Sequence, residues 1–353
     1  MQILPTLLLL CSAWHTLSLH APSLAPSRPS LALSVRARGS APKSSLSLSQ
    51  ASSEFRKNMN PARQDVDSSR PLRVVMKFGG SSLADASRID YVANLIKSQI
   101  ADSIRPAAVV CSAMGKTTNN LLNAGDFALS SAVNVDAIRT LHMNVIEEFN
   151  LPNTTRVEVE QLLTELTALL QGVNMLKELS PRSLDMLVSY GERMSVRIMS
   201  ARLNQLGVPA LPFDAWTLGF RTNSDFGDAA LLPETEENLR KAFKERIDPA
   251  TVAVVTGFVG HDPQGRITTL GRGGSDLTAT AIGAACNLDE IIVWKDVDGI
   301  LSTDPRMVPN AVPIPAVSFD EAAELAYFGA KVLHPIAMMP AMKKGIPVRV
   351  KNR

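Results

Sequence analysis

Several short stretches of this chain could handle a phosphate or a carboxylate. The first is Lys77-Phe78-Gly79-Gly80-Ser81-Ser82. An ammonium at the end of an apolar run, followed by glycines whose backbone is bare, can face phosphate oxygens with charge and amide N–H groups together. A second is Leu270-Gly271-Arg272-Gly273-Gly274-Ser275-Asp276. It gathers a guanidinium, a hydroxyl, a carboxylate and exposed amides just ahead of a helical pattern, where a helix N-terminus attracts anions and arginine can grip a carboxylate with two bonds. A third is Lys295-Asp296-Val297-Asp298-Gly299-Ile300, running into Ser302-Thr303-Asp304-Pro305-Arg306. A fourth, Gly329-Ala330-Lys331-Val332-Leu333-His334-Pro335, puts a lysine in a helix–helix turn. Each alone admits an ordinary reading as a turn, a helix cap or a charged surface loop.

One stretch is a decoy. Gly115-Lys116-Thr117-Thr118 resembles the end of a P-loop, but that pattern needs a glycine five residues before Gly115, where Val110 stands. Ser112, Ala113, Gly115 and Thr118 still lie after a buried strand, where open α/β sheets bind ligands. Glu192, in Ser189-Tyr190-Gly191-Glu192-Arg193-Met194-Ser195, is an acid within a helical pattern. An ion pair with Arg193 or Arg197 would be its ordinary role.

The elements that must position these residues follow from periodicity. Residues 73–77 and 107–111 are short apolar runs that read as buried strands, joined by a helix over 85–100 that Pro106 is expected to stop. Strand, glycine turn, helix and strand make the signature of a mostly parallel sheet covered by helices. The stretch 120–206 is helical in period, with strands again at 252–255 and 291–294 and a helix over 276–285 between them. Late helices are expected at 320–328 and 336–343, and a strand at 348–351. The fold class is therefore α/β, an open and mainly parallel sheet sandwiched by helices.

The first 71 residues read differently. They carry eight basic and three acidic residues, a charge of +5, which leaves −3 for the rest of a chain whose total is +2. The broken leucine run at 7–10 is shorter than the ~20 apolar residues a membrane span takes and fits a signal-like core. The acid-free Ser/Ala/Pro/Arg stretch over 21–53 has transit-peptide composition. A signal-like piece before a transit-like piece points to a plastid by a bipartite leader, with a mitochondrion as the alternative. The mildly acidic body lacks the footprint of a nucleic-acid binder, and no further run is long enough for a membrane span. Three scattered cysteines and five scattered histidines indicate neither a disulfide framework nor a zinc site.

KFGGSSL, SYGERMS, TLGRGGSD, KDVDGILSTDPR and FGAKVLHP stand in the order found in the aspartate kinases of the amino-acid kinase family, and the resemblance covers residues 72–353. KDVDG and CSAMGKTTN resemble the plant and algal monofunctional type. The resemblance implies a two-lobed catalytic domain, with residues 72–215 on the acceptor side and 216–353 on the nucleotide side. It implies phosphorylation of L-aspartate by ATP, the first step toward lysine, threonine and methionine, with Mg²⁺ held mainly by the ATP and with a homodimer as the assembly.

Carried over by position, Lys77, Asp276 and Lys331 would be catalytic. Lys77, Gly79, Gly80, Ser81, Lys295, Asp296, Arg306, Lys331 and Val332 would bind ATP. Ser112, Thr118, Glu192, Arg272, Gly273, Gly274 and Ser275 would bind aspartate, with Glu192 on its ammonium and Arg272 on its α-carboxylate. The residue types suit such chemistry independently. A carboxylate nucleophile, with an ordinary pKa of about 3.9, is ionised at neutral pH and needs no base. It needs relief of repulsion from the phosphate, which lysines, amides and Mg²⁺ supply.

The chain departs from the family pattern in three places. Leu301 stands where many members carry an aromatic near the nucleotide base. The loop at 115–119 is one residue longer than in some bacterial members, so either Thr117 or Thr118 could be the substrate threonine. The sequence stops at Arg353, where members continue into tandem ACT domains, so a truncated form is expected. The alternatives are a kinase of the same family acting on glutamate, N-acetylglutamate or UMP, and a catalytically silent subunit that binds amino acid or nucleotide.

Overall fold

The run at 72–78 forms the central strand β1 (Leu72–Phe78), with Val74, Val75 and Met76 fully buried. A strand apolar on both faces suits a sheet covered by helices on each side. The computed structural model describes residues 70–297, 299–301, 308, 310–327 and 333–352. Residues 1–69 of the leader, along with Arg306, Lys331 and Val332, lie outside the described residues.

A 3-10 turn (Gly80–Leu83) leads from β1 into α1 (Ala86–Ala101), which Asp85 caps by accepting the Arg88 N–H at 2.9 Å. The helix ends at a turn through Ser103, whose φ is 62°, before Pro106 is reached. Pro106 instead lies inside β2 (Ile104–Cys111), which corrects the expectation that it stops the helix. The β1–β2 register shifts next to it, and pairing of β2 with its other neighbour begins only at Ala108, so the missing proline N–H interrupts no ladder on that side.

Four helices follow: α2 (Thr117–Ser130), α3 (Asp136–Glu148), α4 (Asn153–Leu176) and α5 (Pro181–Gln205). α5 starts earlier than the apolar period suggests. Pro181 fits the first helical position, and Ser180 accepts the Ser183 N–H at 3.2 Å. Then come β3 (Ala210–Phe213), a 3-10 turn (Ala215–Leu218), α6 (Glu234–Glu245) and β4 (Val252–Thr256). A hairpin of β5 (Val259–His261) and β6 (Ile267–Thr269) precedes α7 (Gly274–Ala285). The chain continues through β7 (Glu290–Lys295), the short pair β8 (Ile300–Leu301) and β9 (Pro313–Ile314), then α8 (Phe319–Tyr327), α9 (Pro335–Lys344) and β10 (Val348–Asn352).

Six strands form one sheet in the order β10-β7-β1-β2-β4-β3, and every neighbouring pair is parallel. Side chains alternate across it. Val74, Met76 and Phe78 join one apolar core with residues of α1, α2, α4 and α5. Val75 and Val110 join a second core on the opposite face, with residues of α6, α7 and α9. The sheet is thus the middle of three layers. β1 has β2 on one side and β7 on the other, so the crossovers run in opposite directions from it, and the crevice at such a switch point opens at the C-terminal strand ends. Among the described residues no helix is long and apolar enough to cross a membrane.

Candidate active site

Lys77 stands near the C-terminal end of β1, paired in register with Val110 of β2 and Val293 of β7. Its Nζ lies 2.8 Å from Oδ1 of Asp276, and both side chains are about nine-tenths buried. Asp276 sits in the first turn of α7, so a carboxylate at a positive helix end holds an ammonium from the sheet. Lys295, near the end of β7, belongs to the same group. Burial pulls its pKa down, Asp276 pushes it up, Lys77 pulls it down again and Asp296 raises it. Asp276 thus pairs with Lys77 and also acts electrostatically on Lys295 of the neighbouring strand. Asp296 is exposed on the following turn.

The loop after β2 closes over this group. Gly80 must be glycine, since a Cβ there would lie 2.7 Å from the Ala113 carbonyl oxygen. The Gly115 N–H donates to the Gly80 carbonyl at 3.0 Å, which locks the two loops together. The Ser112 hydroxyl lies 3.1 Å from that of Ser275 and so joins the β2 loop to the N-terminus of α7.

Glu192, on α5, completes the far wall. It is buried, and its Oε1 accepts the Ala113 N–H at 3.2 Å, while Oε2 has no hydrogen-bond partner. Burial pushes its pKa up to about 8, and the backbone hydrogen bonds offset part of that rise. α5 comes this close because Gly191 lacks a side chain; a Cβ would lie 2.7 Å from the Ala113 Cβ. Arg193 and Arg197 turn elsewhere. Arg197 donates to Asp214 at 3.1 Å and Arg193 lies 3.5 Å from it, so Glu192 is not the ion-pair partner that its neighbours suggested.

The structure thus joins six of the sequence candidates through a chain of contacts: Lys77 to Asp276, Ser275 to Ser112, Ala113 to Glu192, and Gly80 back to Ala113. Of the two threonines, Thr117 is fully buried beside Gly191 with its hydroxyl unpartnered, and Thr118 is partly exposed. Gly79 borders Lys77, since its Cβ position would be 3.8 Å from Nζ. Ser81 is exposed, and its carbonyl accepts from Arg88. Arg272 is exposed on the turn before α7. It also lines a groove of about 780 Å³ between α6, α7 and α9, whose walls include Leu239, Leu277 and Met339 but neither Lys77 nor Asp276.

Sequence reasoning passed over Asp185. It lies seven residues before Glu192 on α5 and is 2% exposed. Its spacing from Glu192, two helical turns, was the available signal. His142 is a core residue whose pKa burial lowers to about 4, and burial raises the thiols of Cys111 and Cys286 to about 12.

An open parallel sheet with lysines, glycine turns and a helix N-terminus at its C-terminal edge defines an α/β protein built to hold an anionic ligand. The comparisons narrow the class. The model of the Amino acid kinase family matches residues 72–352, and the chain belongs to that family. It is 49% identical over 291 residues to the chloroplastic aspartokinase 1 of Arabidopsis thaliana, covering 80% of this chain and 50% of that one. It is 38% identical over 288 residues to the lysine-sensitive aspartokinase 3 of Escherichia coli, covering 78% of this chain and 61% of that one. The crystal structure of E. coli aspartokinase III in complex with aspartate and ADP superposes with a TM-score of 0.70 at 36% identity, covering 79% of this chain and 61% of that one. The chain spans about half the length of the Arabidopsis relatives that it matches.

Proposed function

We propose that this chain is an aspartate kinase, transferring the γ-phosphoryl group of ATP to the side-chain carboxylate of L-aspartate. The observation that carries the reading is the chain of contacts from Lys77 and Asp276 through Ser275 and Ser112 to Ala113 and Glu192. It sets a cationic, glycine-lined phosphate end beside a buried carboxylate with one oxygen unpartnered. An acceptor with an ammonium suits that oxygen, and Arg272 offers a fork for its α-carboxylate. The similarity to a protein solved with aspartate and ADP agrees with both ligands.

The chemistry asks little of the protein beyond charge and position. The acceptor carboxylate is already ionised. Lys77 and Lys295, spaced by Asp276, would neutralise charge on the transferring group and the departing phosphates. Asp276 holds Lys77 in place, and Gly79 and Gly80 let backbone amides approach. Mg²⁺ bound by the triphosphate would supply further charge neutralisation, with Asp276 the buried carboxylate nearest the lysines. Arg306, Lys331 and Val332 would complete the nucleotide side. Residues 72–215 would serve the acceptor and 216–353 the nucleotide, and Thr117, buried with its hydroxyl unpartnered, is favoured over Thr118 for the substrate contact. The names of the chloroplastic relatives and the transit-like composition of residues 21–53 support delivery to a plastid. The product would enter the synthesis of lysine, threonine and methionine, and a homodimer is the proposed assembly.

The test is turnover of the purified chain with ATP, Mg²⁺ and L-aspartate, trapping the acyl phosphate with hydroxylamine. Aspartyl hydroxamate is expected. Product with glutamate alone, or with no acceptor at all, would overturn the reading.

A further inference from the structure

The carboxylate of Asp185 takes part in none of the contacts described so far, yet it accepts three hydrogen bonds. It is 2% exposed. Its Oδ2 accepts the Gly227 N–H at 3.0 Å and the Thr269 N–H at 2.9 Å, and its Oδ1 accepts the Thr269 hydroxyl at 2.8 Å. Burial raises its pKa, and these three bonds each pull it back.

The three donors come from two segments that are far apart in sequence. Gly227 belongs to the loop between the 3-10 turn and α6. Thr269 ends β6, and three residues later the chain presents Arg272. The Thr269 carbonyl accepts the Ala229 N–H at 2.8 Å, so the loop and the strand end also hold each other. Gly271 then packs so closely on Asp228 that a Cβ would lie 2.0 Å from its Oδ1. One carboxylate from α5 thereby fixes the base of the Arg272 turn and the loop that abuts it.

The same helix carries Glu192 two turns further on. A spacing of seven residues returns a side chain to nearly the same face, about 10 Å along the axis. α5 therefore sets two distances with one rigid rod: where the Glu192 carboxylate sits, and where the Arg272 turn sits relative to it.

We propose that Asp185 is a positioning residue for acceptor recognition, holding the Thr269–Arg272 segment in a fixed place relative to the Glu192 carboxylate on the same helix. This rests on the proposed function. Asp185 touches no reacting atom, so its effect reaches acceptor binding through the Thr269–Arg272 segment. The nucleotide end has anchors of its own, since Lys77 comes from β1 and Lys295 from β7.

The experiment compares steady-state constants of Asp185→Ala, Asp185→Asn and Thr269→Val with those of the unaltered chain. Asp185→Ala removes the acceptor of three buried donors, and its aspartate KM is expected to rise about tenfold while the ATP KM stays within about twofold. Asp185→Asn keeps one oxygen for the two backbone N–H groups, and its amide can donate to the Thr269 hydroxyl, whose proton is free to rotate away. It should restore the aspartate KM to within about threefold of the unaltered value. If Asp185→Ala fails to fold, Thr269→Val carries the test, because it loses the hydroxyl bond alone; its aspartate KM should rise about threefold with the ATP KM unchanged. An unchanged aspartate KM in the folded variants, or an equal rise in both KM values, overturns the proposal. Inactivity of the unaltered chain toward aspartate would instead count against the proposed function, which keeps the two failures apart.

Discussion

Nζ of Lys77 and Oδ1 of Asp276 lie 2.8 Å apart, although 199 positions separate them in the chain and one belongs to a strand and the other to a helix N-terminus. The helix end favours the carboxylate, and the carboxylate holds the ammonium toward the crevice. Lys77→Met should lower turnover by about 10²–10³, the usual loss when one charge-stabilising group leaves a phosphoryl- or acyl-transfer site. Orphaning a buried charge ordinarily costs about 3–5 kcal/mol. Here the charge of Lys295 still acts on Asp276, so a smaller fall in stability, about 1–3 kcal/mol, is expected. Rapid-quench turnover and denaturant melts measure the two effects separately. Turnover within a few-fold of the unaltered chain would remove Lys77 from the mechanism.

Glu192 gives a prediction about protons. Its folded pKa of about 8 lies above the ordinary 4.5, so between those values the native state binds more protons than the unfolded one. Its contribution to stability is therefore greatest at the acid end and declines as pH rises through that window. Relative to Glu192→Gln, the unaltered chain should lose stability steadily from pH 5 to pH 8, as read by melts across pH. An ammonium arriving beside Oε2 favours the ionised form. Aspartate binding at pH 7 should then release about one proton. Calorimetric titration in buffers of different ionisation enthalpy reads that number directly, and the Gln variant should release none. Uptake rather than release would show that the ammonium does not meet Glu192.

How much of this was legible beforehand depended on the range over which each signal acts. β1, β2, β4 and β7 announce themselves as apolar runs because both of their faces are buried. The β5–β6 hairpin does not, since its strands are three residues each and too short for any period. Its cue was Asp262-Pro263-Gln264-Gly265, in which Asp262 accepts the Gln264 and Arg266 N–H groups. Lys77, Asp276 and Ser275 were found through the company of glycines and charges around them, whereas Glu192 was marked only by the family resemblance of the stretch that holds it. The partner of Glu192 was not found, because its contact with Ala113 spans 79 positions, while its neighbours Arg193 and Arg197 offered a nearer and mistaken choice. Asp185 was passed over because its one sequence mark, the two-turn spacing from Glu192, points to no partner, and only the fold brings its three donors to it.

Gly191 tests how tightly α5 must press on the β2 loop. Alanine is favoured over glycine inside a helix by about 1 kcal/mol. The added Cβ, however, would lie 2.7 Å from the Ala113 Cβ and 3.3 Å from the Thr117 Cγ2. Forcing a methyl group into such contact costs about 1–3 kcal/mol, so the steric term wins. Gly191→Ala should melt at a lower temperature, and its aspartate KM should rise more than its ATP KM, because the displaced loop carries Ala113 and Ser112. A gain in stability would mean that the loop yields freely and that the glycine serves only the helix.

Arg272 separates recognition from folding. It is exposed, so Arg272→Ala should alter stability by no more than about 0.5 kcal/mol. A two-pronged bond to a carboxylate contributes about 1.5–3 kcal/mol, which corresponds to a rise in aspartate KM of about 10–100-fold. Arg272→Lys keeps the charge but not the planar fork, and should recover only part of that loss. The ATP KM should hold in both variants, because the nucleotide end rests on Lys77, Asp276 and Lys295. An acceptor lacking the α-carboxylate, such as β-alanine, should show the discriminating behaviour: poor with the unaltered chain, and no poorer with Arg272→Ala. Should β-alanine lose as much as aspartate does on that substitution, Arg272 acts on something other than the α-carboxylate, and the orientation of the acceptor between Arg272 and Glu192 is wrong.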